Sequence, residues 1–221
     1  MSTSDRDDMT TVVMACEEFM ASTGIAPERL RELLALGWLE SRTEGSDQFF
    51  RDADIYRVRK LERICCDFEL PVVGGTIIVG SQQTINADKT LENATFRRAE
   101  GFTSTMFLVT GNAKLTLQNV TLDGANVANS SYLVQASRGT TLNIGANAVL
   151  ENNQSSAVYA YGATVNMTDG TIRNNKVEGD GGGMYLFNST AVLSGGVIEG
   201  NQAVINQQDR GGSGAGVLGY G

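Results

Sequence analysis

The chain contains no histidine, which excludes mechanisms that use an imidazole as a base, a proton shuttle or a zinc ligand. Cysteine is also scarce: Cys16, Cys65 and Cys66 form no C-x-x-C pair, so neither a disulfide framework nor a zinc ligand set is predicted. No apolar run approaches the roughly 20 residues that span a bilayer. With 17 Lys and Arg against 25 Asp and Glu, the net charge of −8 disfavours general phosphate binding.

Two different compositions meet in this chain of 221 residues. Residues 1–70 carry a net charge of −6, no Asn and 3 Gly, whereas residues 71–221 carry −2, 16 Asn and 23 Gly. Such a shift in asparagine and glycine predicts two structural regimes with a boundary near residues 71–80.

The first part has the pattern of a small helical module. Cys16, Phe19 and Met20 are spaced for one face of a helix that Gly24 ends, and Pro27 suits the first position of a second helix. A polar loop is predicted over residues 42–47, and a third helix begins at Asp52. Two helices joined by a short glycine-containing turn indicate a helix-turn-helix with a small wing.

A family resemblance rests on residues 18–40, which read EFMASTGIAPERLRELLALGWLE. This run resembles the MerR-like helix-turn-helix, and more closely the CbpM-type chaperone modulators, whose pattern is EF…TGI…EEL…LG…E. The resemblance covers residues 10–73. CbpM-type modulators continue into a long C-terminal helix, and this chain departs from them there.

The resemblance implies one of two partners. CbpM-type modulators bind the J-domain of a DnaJ-like co-chaperone, whose basic helix would suit an acidic module. A MerR-like regulator would instead bind DNA, although Glu28 and Glu32 flank the arginines of the second helix. On either reading the expected location is the cytoplasm, and the N-terminus does not resemble a secretion signal. The predicted partner-binding residues are Glu28, Arg29, Arg31, Glu32, Arg57 and Lys60. A solvated helix face is the alternative for the basic residues of the third helix, Arg57, Arg59, Lys60 and Arg63.

Short β-like segments recur from residue 74 onward, punctuated by Gly and Asn. The steps from Phe107 to Tyr132, Val158 and Met184 are 25, 26 and 26 residues, which predicts one solenoid coil of three strands. Side chains alternate between the inside and the outside along the strand that begins at each of these four positions. Each such strand is therefore predicted to point two side chains inward. These pairs are Phe107 and Val109, Tyr132 and Val134, Val158 and Ala160, and Met184 and Leu186.

This repeat style, seen in TLTLQNVTLDG and GGVIEGNQA, resembles the right-handed parallel β-helix of bacterial surface and adhesin-like proteins. That resemblance covers residues 75–221 and implies an architecture rather than an activity. We expect asparagines at 152–153, 174–175 and 201 to occupy one turn of successive coils, because Asn tolerates left-handed backbone and hydrogen-bonds along a stack.

One column of charged residues allows the hypothesis of a glycosidase site. Asp123, Glu151, Arg173 and Glu199 recur at the same point of successive coils, and neighbouring coils lie roughly 4.8 Å apart. Two adjacent carboxylates are compatible with a retaining glycosidase, while a charge-alternating solvated edge is the simpler interpretation. We therefore expect no catalytic residue, no metal and no cofactor, and a carbohydrate-active or carbohydrate-binding solenoid stays an alternative.

Four aromatic residues are predicted to point outward from two neighbouring coils: Tyr159, Tyr161, Tyr185 and Phe187. Stacked aromatic side chains on one face suit sugar rings or another protein surface. The alternative is that a loop or the N-terminal helices cover them.

The sequence thus predicts an α plus all-β chain, with a CbpM/MerR-like helix-turn-helix domain at 1–73 and a right-handed parallel β-helix at 74–221. We expect a non-enzymatic binding or modulator protein, with a MerR-like transcriptional regulator as the alternative. A cytoplasmic module beside a surface-protein repeat also suggests a fusion.

Overall fold

The computed structural model describes residues 13–35, 37–68, 72–73, 76–205 and 212–221. The chain divides into two compact units, Met1–Gly75 and Thr76–Gly221.

The described residues of the first unit form three helices and four short strands. The helices are α1 (Cys16–Thr23), α2 (Pro27–Ala35) and α3 (Asp52–Phe68). The strands are β1 (Val13–Ala15), β2 (Arg42–Glu44), β3 (Asp47–Arg51) and β4 (Val72–Val73).

Helices α1 and α2 form the predicted helix-turn-helix because the turn between them combines two strong local signals. Gly24 adopts left-handed backbone with φ of 77°, and its N–H donates to the Met20 carbonyl, which closes α1. Pro27 then begins α2 at its first helical position, where the backbone N–H that proline lacks would have no partner within the helix. The rings of Phe19 and Phe50 stack with centroids 4.6 Å apart, so the helix pair is anchored on the strand that precedes α3.

The segment predicted as a polar loop is instead an antiparallel hairpin. Strands β2 and β3 pair with Thr43 opposite Gln48, and β1 adds to the other side of β3. The sequence hides this hairpin because β2 is wholly exposed and so lacks the alternation of apolar residues that marks a half-buried strand. The unit is therefore a winged helix-turn-helix.

The second unit is a parallel β-solenoid of about five turns. Its strands are β5 (Thr76–Val79), β6 (Gln83–Ile85), β7 (Lys89–Arg98), β8 (Phe107–Val109), β9 (Lys114–Asp123), β10 (Val134–Ala136), β11 (Thr141–Ile144), β12 (Val149–Glu151), β13 (Val158–Tyr161), β14 (Thr164–Met167), β15 (Thr171–Arg173), β16 (Lys176–Glu178), β17 (Met184–Phe187), β18 (Thr190–Leu193), β19 (Val197–Glu199), β20 (Gln202–Val204) and β21 (Val217–Tyr220).

Each coil stacks in parallel register on the one before it, so equivalent apolar residues form columns in the interior. Strand β9 pairs with β11 through its first half and with β12 through its second half, so one long strand covers two faces of its coil. One interior column is fully buried over three coils. Its members are Leu122, Leu150 and Ile172.

One predicted register is wrong. Val134, not Tyr132, pairs with Phe107 and with Val158, so the inward pair on β10 is Val134 and Ala136. The true steps are 27 and 24 residues, because the loop before β10 is longer than the repeat implies. Tyr132 matches the Phe-Leu-Val pattern of β8 by sequence alone, and it lies before the strand, on the outer surface.

The predicted asparagine stack is present. Asn152 and Asn174 have left-handed backbone with φ of 56°, and the next residues, Asn153 and Asn175, are fully buried. The Asn153 N–H donates to Oδ1 of Asn175 at 3.1 Å, and the Asn175 N–H donates to Oδ1 of Asn201 at 3.0 Å. This ladder satisfies buried backbone N–H groups at the turn that follows β12 and β15, so it is part of the core.

Candidate functional site

The exposed surface of α2 carries four charges, and they are paired with one another. Arg31 Nη2 lies 2.8 Å from Glu28 Oε1, and Arg29 Nη1 lies 2.6 Å from Glu32 Oε2. Both pairs join residues three apart, so they follow from helical spacing. The second helix of the helix-turn-helix therefore presents a face whose charges sum to zero.

Arg29 is also tied to α3. Its Nε donates to Glu62 Oε1 at 2.8 Å, and its Nη2 lies 4.0 Å from the sulfur of Cys65. Burial lowers the pKa of Arg29, but the hydrogen bonds and charges of Glu32 and Glu62 outweigh it, so that the pKa is raised above its usual value. The positive charge of Arg29 is therefore compensated within the unit, where its side chain links α2 to α3.

Two more of the predicted partner-binding residues, Arg57 and Lys60, lie on α3. Arg57 Nη1 lies 2.8 Å from Oδ1 of the buried Asp54, whose Oδ2 lies 3.0 Å from Arg51 Nε. The Lys60 Nζ lies 5.4 Å from the ring centroid of Tyr56, which is a cation–π contact within the helix. Arg57 and Lys60 therefore lie on α3, whereas the other four predicted partner-binding residues lie on α2.

The β2–β3 hairpin, which forms the wing, and the neighbouring part of α3 also have arginines that bind partners within the unit. Arg42 Nη2 lies 3.0 Å from Glu44 Oε1, and Arg59 of α3 donates to the carbonyl of Ser22 at the end of α1. A winged helix approaches DNA through its second helix and its wing, which are α2 and the β2–β3 hairpin here. On these two elements, Arg29, Arg31 and Arg42 are each paired with an acid of the same unit.

The second unit holds the predicted aromatic cluster, and its four members do stack in pairs. Tyr159 and Tyr185 lie with ring centroids 5.7 Å apart, and Tyr161 and Phe187 are also 5.7 Å apart. Each pair sits at one register position of β13 and β17. The two outward columns therefore run along the solenoid axis.

Three further residues extend this cluster beyond the prediction. Tyr132 stacks on Tyr159 with centroids 4.8 Å apart, and Tyr220 meets Tyr185 edge-on at 5.9 Å. The Arg138 Cζ lies 5.5 Å from the centroid of Tyr161. Tyr132 was missed because the assumed register placed it inside. Arg138 lies in a turn, where no strand pattern indicates its direction.

Stacking restricts what the cluster can bind. Tyr159 has Tyr132 on one face and Tyr185 on the other, so its flat faces are shared within the protein. A ligand meets ring edges and hydroxyl groups there, whereas sugar rings pack on flat aromatic faces. Burial, reinforced by neighbouring phenols, raises the pKa of Tyr132, and burial also raises the pKa of Tyr185.

The charge column is an ion-pair ladder. Asp123, Glu151, Arg173 and Glu199 are register partners on successive coils, as the spacing predicted. Arg97 Nη1 lies 2.8 Å from Asp123 Oδ2, and Arg173 Nε lies 2.7 Å from Glu151 Oε2. Each of the two adjacent carboxylates is therefore bound to its own arginine.

Within the described ranges, no group of three or more His, Cys, Asp or Glu residues could hold a metal ion. Over the same part of the chain, no helix has the length and apolar character that crossing a membrane requires. Neither Cys16 nor Cys65 forms a disulfide bond in the described part of the chain.

Comparison with known protein families gives a match to the N-terminal part of the chain. Residues 14–80 match the family described as MerR HTH family regulatory protein, so this segment is similar to a MerR-type helix-turn-helix domain. No curated protein and no solved structure matches the chain. A MerR-type domain indicates a regulatory or binding role.

Proposed function

We propose that the MerR-type domain is a protein-binding modulator module whose acidic surface, on and around α2, recognises a basic helical segment of a partner protein. The sequence resemblance to CbpM-type modulators names the expected partner, the J-domain of a DnaJ-like co-chaperone. Such a partner would place the domain in the cytoplasm, as the sequence predicts.

The proposal rests on one observation: both arginines of α2 are already paired with acids of the same unit. A helix that reads DNA needs cations facing phosphates and base edges. Phosphate binding by α2 would first have to break the Arg31–Glu28 and Arg29–Glu32 pairs and would then leave two carboxylates against the DNA backbone.

The charge balance of the unit supports the same partner class. Residues 13–68 contain 11 Asp and Glu against 8 Lys and Arg. Glu17, Glu18 and Glu40 are exposed in addition to the acids of α2. An acidic surface steers a basic helix toward it and repels nucleic acid.

DNA binding is the second candidate, and the family match itself favours it. The basic residues that would serve it lie on α3, where Arg57, Arg59 and Arg63 are exposed beside Tyr56. Arg57 shares Asp54 with Arg51, and Arg59 binds the Ser22 carbonyl.

A double substitution separates the two candidate functions because it should weaken binding to a basic protein partner and strengthen binding to DNA. In the full chain, Glu28→Gln with Glu32→Gln keeps the size of both side chains, removes two acids and frees Arg31 and part of Arg29. We expect binding to a labelled J-domain to weaken by about tenfold. A labelled duplex DNA should show weak, salt-sensitive binding in the parent chain.

The control carries the same change of charge in the other unit of the chain. Glu178→Gln with Glu199→Gln alters two exposed acids of the solenoid, and we expect J-domain binding to stay within about twofold. Tight DNA binding by the parent chain, strengthened further by Glu28→Gln with Glu32→Gln, would overturn the proposal in favour of the DNA-binding candidate.

We further propose that the solenoid is a non-enzymatic scaffold. In support, Asp123 and Glu151 each bind an arginine, an arrangement that stabilises a surface ladder. Polysaccharide cleavage assays should show no activity in the parent chain. Cleavage that disappears in Glu151→Gln would refute this proposal.

A further inference from the structure

A cavity of about 690 Å³ opens between two successive loops of the solenoid. One wall is formed by the end of β7 and the loop that follows, with Arg97, Arg98, Glu100 and Thr103. The opposite wall is residues 125–128, just after β9. The volume lies within the range of about 300–1,000 Å³ that small-molecule sites occupy.

Arg98 in this wall is a buried cation surrounded by neutral acceptors. Its side chain is 1% exposed. Its two Nη groups donate to uncharged oxygens, and in the described part of the chain its Nε has no hydrogen-bond partner. Those oxygens are the carbonyls of Phe102, Ser104, Ser131 and Tyr132 and Oδ1 of Asn153.

Burial lowers the pKa of Arg98 to about 10, so the guanidinium still carries its charge at neutral pH. No acidic side chain of the described residues forms an ion pair with it. Most buried charges in proteins have an opposite charge nearby, because an isolated one is strongly destabilising. An anion in the adjoining cavity would supply that opposite charge.

The rest of the lining defines the ligand more closely. Arg97 is paired with Asp123, so Arg98 is the lining cation that has no acidic partner among the described residues, and it suits a ligand with a single negative charge. Ala125, Val127 and Ala128 offer apolar contact on the facing wall. Ala125 also has φ of 54°, a left-handed conformation that a non-glycine residue rarely adopts and that occurs often at functional sites.

From these observations we propose that the cavity binds a small organic monoanion. Its carboxylate or equivalent group lies toward Arg98, and its apolar body lies against Ala125, Val127 and Ala128.

The test uses three ring compounds of similar shape and different charge. Saturation-transfer NMR on the full chain would measure binding of benzoate, its neutral analogue benzamide and the dianion phthalate. We expect benzoate to bind about tenfold more tightly than benzamide. Phthalate should bind more weakly than benzoate, because Glu100 opposes a second charge.

Two substitutions at an exposed wall position test the location without disturbing the core. Ala128→Asp places an acid in the wall and should weaken benzoate binding by about tenfold, whereas Ala128→Asn should leave it within about threefold. Thermal unfolding checks that both variants fold. Equal binding of benzoate and benzamide, the same affinity in both variants, or no benzoate binding at all would overturn the proposal.

Discussion

Removing the buried amide of Asn175 tests how the solenoid holds its turns together. The Asn175 side chain accepts a hydrogen bond from the Asn153 N–H, and its Nδ2 donates to the carbonyls of Leu150 and Arg173 at 3.1 and 3.0 Å. It also donates to Oδ1 of Asn201 at 2.9 Å. The substitution Asn175→Ala deletes all four interactions at a fully buried position.

The expected loss follows from the groups left behind. The Asn153 N–H loses its acceptor in a buried site, at a cost of about 1–3 kcal/mol. The Leu150 carbonyl loses a donor in the same interior, and the missing amide leaves a small cavity that contributes about 1 kcal/mol more. We therefore expect Asn175→Ala to lower the free energy of unfolding by about 3–5 kcal/mol, a large share of the 5–15 kcal/mol typical of a domain.

Urea unfolding followed by far-ultraviolet circular dichroism measures this change in the solenoid, while fluorescence of Trp38, the single tryptophan, reports on the first unit. The matched control is Asn147→Gly. It removes an exposed amide that donates to Asn119 Oδ1 at 2.8 Å and keeps a residue that tolerates the φ of 53°. The free energy of unfolding of this control should stay within about 0.5 kcal/mol of that of the parent chain. Equal stability of Asn175→Ala and the parent would refute the argument that the buried ladder is part of the core.

Three other outcomes follow from local geometry. Gly124→Ala should destabilise the chain by more than about 2 kcal/mol in urea unfolding, since the new Cβ would lie 2.6 Å from the Cα of Asn153; an unchanged midpoint would contradict this. Ala125→Gly should raise the unfolding free energy by about 0.5–1 kcal/mol by relieving the left-handed φ, less the added entropy of the unfolded chain; a loss of stability would show that the alanine methyl packs usefully. Tyr132 and Tyr185 should ionise above the usual phenol range in an ultraviolet titration, because burial raises the pKa of each. The neutral phenols contribute stability below pH about 10 that is lost as the pH rises through their folded values, and titration of all six tyrosines in the usual range would contradict this.

Much of the fold could be predicted from the sequence because its main signals are local or repetitive. Gly24 and Pro27 fix the helix-turn-helix through backbone preferences alone. The solenoid follows from a repeat in which each coil buries the next. The recurrence of asparagines at one turn also follows, because Asn tolerates left-handed backbone and hydrogen-bonds along a stack, whereas the burial of Asn153 and Asn175 is seen only in the structure.

The parts that sequence reasoning missed depend on loop length and on distant contacts. Tyr132 was placed inside because the loop before β10 breaks the average period of the coils. The pairing of Arg29 with Glu62 joins residues 33 apart, and no helical spacing indicates it. The burial of Arg98 was equally hidden, since strand alternation does not reveal that a loop will wrap around a cation.

Hydrogen–deuterium exchange of the full chain tests the central functional claim most directly. With a saturating J-domain, we expect protection of the peptide that covers α2, and with duplex DNA at the same concentration we expect none there. Protection of α2 and the wing by DNA, with no change on adding the J-domain, would contradict the assignment of this domain to protein binding.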